Sequence, residues 1–199
     1  MSKLSIAIDA QIEELRKCGL VLPKAATGKN LLKIYGDDEF LDHESGEIAH
    51  DLTQSILYFL ASESVFRDKD LPVGSRGDNF DFECIYGDGE YEDLVKRFAF
   101  LSGHESSISD LRDWVDVPRD DVRLRFSFRG KGQYFRPKVN RDWADEEVVE
   151  AVVRLFTKNG YQYYLIPLGQ PGSIYFLKNT TARRICKIGS GVDLVPIQI

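Results

Sequence analysis

Residues 122–139 read VRLRFSFRGKGQYFRPKV, and this stretch decides the fold. Val122, Leu124, Phe126 and Phe128 alternate with Arg123, Arg125, Ser127 and Arg129. Successive side chains of a strand point to opposite faces, so the alternation predicts one apolar and one cationic face. Gly130 and Gly132 permit the positive φ angles that a tight reversal needs. The return run alternates again, with Phe135, Pro137 and Val139 on one parity and Tyr134, Arg136 and Lys138 on the other. Two alternating runs about a glycine-containing turn predict a β-hairpin over 122–139. Pro137 has no amide hydrogen, which places the return strand at a sheet edge or interrupts it there.

The next segment changes period. Val148, Val149, Val152, Leu155 and Phe156 recur at helical spacing, with Asp142 or Asp145 as N-cap and Asn159-Gly160 as stop signal. Glu146 and Glu147 suit the positive end of that helix. Strands are expected at 161–166 and 173–178, separated by the breaker run Pro167 to Gly172. The helix needs an apolar surface to cover, and the hairpin underside supplies one. The expected class is therefore α+β: a largely antiparallel sheet with helices packed on one face.

Upstream, Leu4, Ile8, Ile12 and Leu15 predict a first helix, with Ser2 or Ser5 as cap and Gly19 as stop. Leu31 to Tyr35 fits helix or strand equally. Ile48, Leu52, Ile56, Phe59 and Leu60 make a second helical stripe, with Ser45 or Gly46 at its start. Residues 67–79 read as the longest loop and 80–86 as a strand. A third helix is expected around Leu94 to Leu101, stopped by Gly103. Ser106 to Ser109 reads as linker, and Leu111 to Val115 as a further helical turn. Beyond Lys178, a short helix through Ile188 and a closing edge strand within 192–199 complete the chain.

The 199 residues, 43% of them hydrophobic, suffice for a full core. The expectation is one α+β domain, divisible near 103–121 into lobes 1–103 and 118–199. The first apolar run stops at Asp9, too short for a signal-peptide core, and Ile56 to Ala61 is too short to span a bilayer. Cys18, Cys84 and Cys186 lack the density of a disulfide scaffold and the pairing of a zinc site. Reduced thiols in a bacterial cytoplasmic protein are the expected reading, with no membrane contact and no cofactor.

Charge is distributed unevenly. The net is −6, yet residues 122–141 hold seven basic side chains and no acidic one. The remainder carries 19 basic against 32 acidic residues, a net of −13. Such segregation points either to internal pairing or to a partner of opposite sign.

Three candidate sites follow. Asp37, Asp38, Glu39, Asp42 and Glu44 form a carboxylate-dense stretch suited to a basic protein partner, and a second acidic run lies at 88–93. Arg123, Arg125, Arg136 and Lys138, with Tyr134 among them, form the cationic hairpin face suited to an anion or nucleic acid. Its competing reading is pairing with carboxylates at 88–93 or 116–121. His43, Glu47 and His50 would share one face if 43–51 were helical, giving two imidazoles and a carboxylate for a metal-dependent enzyme. Ser45-Gly46 argues instead for a loop or cap.

No nucleophile elbow is present, since Gly189-Ser190-Gly191 lacks the flanking pattern. Thr27-Gly28-Lys29 is a phosphate-loop fragment without its remaining glycines. Cys84 could pair with His50 or His104 only if folding joined them. Trp114 and Trp143 read as anchors of loop to core, or as interface residues if exposed. The acidic balance sets a protein partner ahead of nucleic acid. The leading expectation is a non-enzymatic protein-binding protein, in one form an immunity-type inhibitor that neutralises a cationic toxin domain through its acidic loops.

Overall fold

A computed structural model describes residues 2–62, 71–167, 172–188 and 192–197. Within these, helices and two antiparallel sheets give an α+β fold. The chain divides into two compact units. The first comprises Met1–Phe80 and Gly160–Pro196; the second is Asp81–Asn159, joined by the chain end from Ile197. Residues 103–121, where the sequence suggested a lobe boundary, lie wholly inside the second unit. The predicted hairpin and the two strands after it belong to different sheets.

In the first unit, α1 (Lys3–Lys17) is capped by Ser2, whose hydroxyl accepts from Ser5 N at 3.1 Å. Its apolar stripe, Leu4, Ile8, Ile12 and Leu15, is buried as its spacing requires. The ambiguous 31–35 segment is helical: α2 (Gly28–Tyr35) begins at Thr27, whose hydroxyl accepts from Asn30 N. Helix α3 (Leu52–Ser62) starts later than expected. Ile48 bridges Leu41 instead, so 41–48 forms a small reversal and Ser45 and Gly46 do not cap a helix.

The sheet of this unit has the order β1 (Gly77–Phe80), β6 (Gly172–Lys178), β5 (Tyr161–Ile166), β7 (Val195–Pro196). Residues 81–86 are not the expected strand; β1 ends at Phe80, and Glu83 makes only an isolated bridge to Trp143. Pro196 sits on the edge strand, where a missing amide costs no ladder bond. One sheet face, with Tyr164, Ile166, Tyr175 and Leu177, shares a core with α1, α2, α3 and α6 (Asn179–Ile185). Tyr175 is fully buried, and its hydroxyl donates to Leu57 O at 2.6 Å. The Gly189-Ser190-Gly191 pattern lies outside the described residues, as do 67–70 of the long loop.

The second unit holds the sheet β2 (Ile108–Asp116), β3 (Asp121–Phe128), β4 (Lys131–Phe135). The hairpin turn is Arg129-Gly130, at φ 51° and 73°, so both central residues are left-handed and Gly132 is a strand residue. The β4 ladder ends at Phe135, before Pro137. Strand β2 overturns the expected linker and helical turn: residues 108–116 are extended and pair with β3. Helix α4 (Glu90–Ser102) contacts β2 and α5 (Glu146–Phe156). Asp145 caps α5, accepting from Glu147 N at 2.9 Å. Phe156 of α5 packs 5.1 Å from Phe128 and 6.4 Å from Phe126, so the hairpin underside is the surface this helix covers.

His104 follows α4 and lies between the rings of Phe128 (5.3 Å) and Phe156 (6.0 Å), 5% exposed. Burial, then Lys158 and Arg129, hold its pKa below the usual value, against an opposing pull from Glu105. The unfolded chain accepts a proton near about 6.5, where folded His104 still resists it. The unfolded state therefore binds more protons in that window, and stability present above about pH 6.5 is lost as pH falls through the folded pKa. The unfolding midpoint in urea is expected to fall between neutral and mildly acidic pH. His104→Gln should flatten that dependence; an equally steep profile in the variant would assign it to other groups.

Candidate functional site

Two charged surfaces emerge, one in each unit. The acidic one is built around Phe40, which is fully buried and 5.1 Å from the Phe59 ring. This anchor fixes a short 3-10 turn, Asp38–Phe40, and the reversal after it. Asp42 N donates to Glu47 O at 2.8 Å, and Ala49 N donates to Phe40 O at 3.0 Å. The Asp42 carboxylate is committed to this turn, accepting from Ser45 N (2.8 Å), the Ser45 hydroxyl (2.9 Å) and Glu44 N (3.1 Å). The Ser45 amide, then its hydroxyl and the Glu44 amide, hold that carboxyl below its ordinary pKa. Asp37, Asp38, Glu39 and Glu44 are exposed, and among the described residues none is in an ion pair.

The other acidic run behaves differently. Asp88 accepts from Val115 N at 2.6 Å, and Lys96 lies 2.9 Å from Asp93 and 3.5 Å from Glu92. Asp88, Glu92 and Asp93 thus serve α4 and its join to β2. Asp113 of β2 completes the join, accepting from Gly89 N, Tyr91 N and Glu92 N at the start of α4. An acidic side chain is favoured there by the exposed amides and by the helix dipole.

The cationic surface is the open face of β2-β3-β4. Strand register sets it in rows: Arg112 opposite Arg125 opposite Tyr134, and Trp114 opposite Arg123. Arg136 lies just past β4, its Nε donating to the Tyr134 hydroxyl at 3.1 Å. Trp114 is 52% and Tyr134 58% exposed. Arg123 is ion-paired with Asp121, and Arg112 reaches Glu92 only at 4.0 Å. The Arg125 side chain is exposed and makes no hydrogen bond or ion pair among the described residues. Lys138 does not join this face; its ammonium pairs with Glu147 at the start of α5. The predicted anion set thus loses Lys138 and gains Arg112 and Trp114. Both gains sit on β2, which the sequence reading took for linker and helical turn.

His43, Glu47 and His50 lie on the 41–48 reversal and the turn after it, not on a helix. Among the described residues no group of three His, Cys, Asp or Glu side chains could hold a metal ion. Cys18, Cys84 and Cys186 are free thiols. Burial, then Glu90 and Asp81, push Cys84 up to about 11, so it stays protonated at neutral pH. His104 is enclosed by Phe128 and Phe156. No helix of the described residues is long and apolar enough to cross a membrane. No protein-family model, curated protein or solved structure matches this chain.

Proposed function

We propose that this protein is a non-enzymatic protein-binding protein that recognises a basic partner through Asp37, Asp38, Glu39, Asp42 and Glu44. The supporting observation is the contrast between its two acidic runs. In the 88–93 run Asp88 is bound to β2 and Glu92 and Asp93 to Lys96, whereas four of the five carboxylates at 37–44 are exposed and unpaired on a segment pinned by Phe40. Unpaired like charges repel one another, a cost that a cationic partner would relieve. A pinned segment also pays little ordering entropy on binding. In its concrete form the partner is a cationic toxin domain and this chain its immunity-type inhibitor, with complementary charge speeding association.

The test is retention of native-lysate proteins on the immobilised chain at low salt. A basic protein is expected at one-to-one stoichiometry, released as salt rises. The combined change Asp38→Asn and Glu39→Gln should slow its association about tenfold. Absence of any stoichiometric basic partner, or an association rate untouched by those substitutions, would overturn the reading.

A further inference from the structure

The open sheet face of the second unit presents a pairing that folding alone does not reward. Arg112 and Arg125 stand directly opposite on adjacent antiparallel strands. Their Cβ atoms are then about 5 Å apart, and like charges so placed are destabilising. Glu92, at 4.0 Å from Arg112, is at the limit of ion pairing and does not reach Arg125. An anion seated between the two guanidinium groups would turn that repulsion into a paired contact.

The surroundings define the anion further. Trp114 and Tyr134 flank the arginines on the two outer strands, staggered by two residues and so about 12 Å apart across the sheet. Both rings are more than half exposed. A shallow cleft of about 490 Å³ opens beside Tyr134, bounded by Arg125, Ser127, Gly132 and Asp110. No Leu, Ile or Val side chain stands on this face; those of β3 are turned inward and buried. Trp, Tyr and Arg serve protein interfaces too, but the aliphatic centre such interfaces bury is absent from this face among the described residues. Asp110 lines the cleft and accepts from the Ser109 and Ser127 hydroxyls, Asp116 pairs with Arg119, and Asp121 with Arg123.

The geometry points to a binding site for single-stranded nucleic acid on this face. Phosphates take Arg112, Arg125 and Arg136, and unpaired bases stack on Trp114 and Tyr134. Aromatic platforms joined to arginine are the shared chemistry of single-strand binding, because every base has a π-face. Duplex bases are already stacked on each other and cannot use the two rings. The net charge of −6 opposes binding, but its reach is about 10 Å or less at ordinary salt, so the local arginines decide the outcome. This site is separate from the acidic segment and stands or falls independently of it.

Fluorescence anisotropy of the full chain with a short labelled oligouridylate or oligothymidylate tests the site. Both probes are expected to bind at low salt. Affinity should fall about 20- to 50-fold between about 50 and 200 mM salt, as three to four phosphate contacts require. Tyr134→Ala and Trp114→Ala should each weaken binding about tenfold, and Arg125→Gln should lower the salt slope by about 0.7. Gly132→Glu is the blocking variant. A Cβ there meets nothing within 4 Å, so the chain folds unchanged while a carboxylate enters the cleft, and binding should be lost. RNA binding tighter than DNA would add recognition of the 2′-hydroxyl to the same site. Equal affinity for a duplex, tighter binding of polyglutamate, or binding unchanged by Gly132→Glu would overturn the assignment.

Discussion

Phe156→Ala is expected to cost the second unit about 3–5 kcal/mol. The ring is fully buried on α5 and touches the rings of His104, Phe126 and Phe128 at once. Its removal takes away the contact that joins the helix stripe to the hairpin underside, and the rigid strand backbone cannot close the gap. Domain stabilities of about 5–15 kcal/mol leave little margin for such a loss. For a unit of this size, the midpoint in a calorimetric scan should drop by about 15 °C or more. A loss below about 1 kcal/mol would show that α5 is not seated on this sheet.

The second large effect comes from Gly28→Ala. A Cβ at Gly28 would lie 2.4 Å from the Ser5 carbonyl oxygen, which belongs to the backbone of α1 and cannot swing aside. Gly28 N also donates to the Asp9 carboxylate at 2.7 Å, so the start of α2 is bound to α1 from both sides. Alanine is the better helix former by up to about 1 kcal/mol. Overpacking against fixed backbone costs about 1–3 kcal/mol or more, so the clash should win and the first unit should melt lower. Gly132→Ala, with nothing within 4 Å of its Cβ, is the matched control and should shift stability by less than about 0.5 kcal/mol. A Gly28→Ala protein as stable as the control would mean that α1 and α2 are further apart than described.

The same glycine shows where sequence reading stops. Thr27-Gly28-Lys29 offers a fragment of a phosphate loop, and the pattern is rightly given no weight. Its real reason is a helix crossing, which no local pattern can reveal because Ser5 is 23 positions away. Segments with a strong period were legible. The α1 stripe, the α4 stripe with its Gly103 stop, the 122–128 alternation and the α5 stripe all form the elements their spacing dictates. Strand β2 was not. Asp110, Asp113 and Asp116 are poor strand formers, and the bulge between Ser109 and Arg112, with Asp110 at φ 55°, breaks the alternation. Missing β2 hid half of the cationic face, since Arg112 and Trp114 have meaning only beside Arg125 and Arg123. The division into two sheets was equally hidden: it depends on β1, a four-residue strand pairing with residues almost a hundred positions later.

That long pairing matters while the chain is being made. β1 leaves the ribosome early, but β6, its sheet neighbour among the described residues, follows after the whole of 81–171 has been synthesised. At about 5–20 residues per second the wait is roughly 5–20 s, long against the microseconds in which helices form. Throughout it, the greasy sides of the first three helices have no sheet to rest on, while the intervening 81–159 segment already holds nearly all of its own contacts. The nascent protein therefore completes the unit that bears the arginine-rich hairpin first, and the unit that bears the 37–44 carboxylates last.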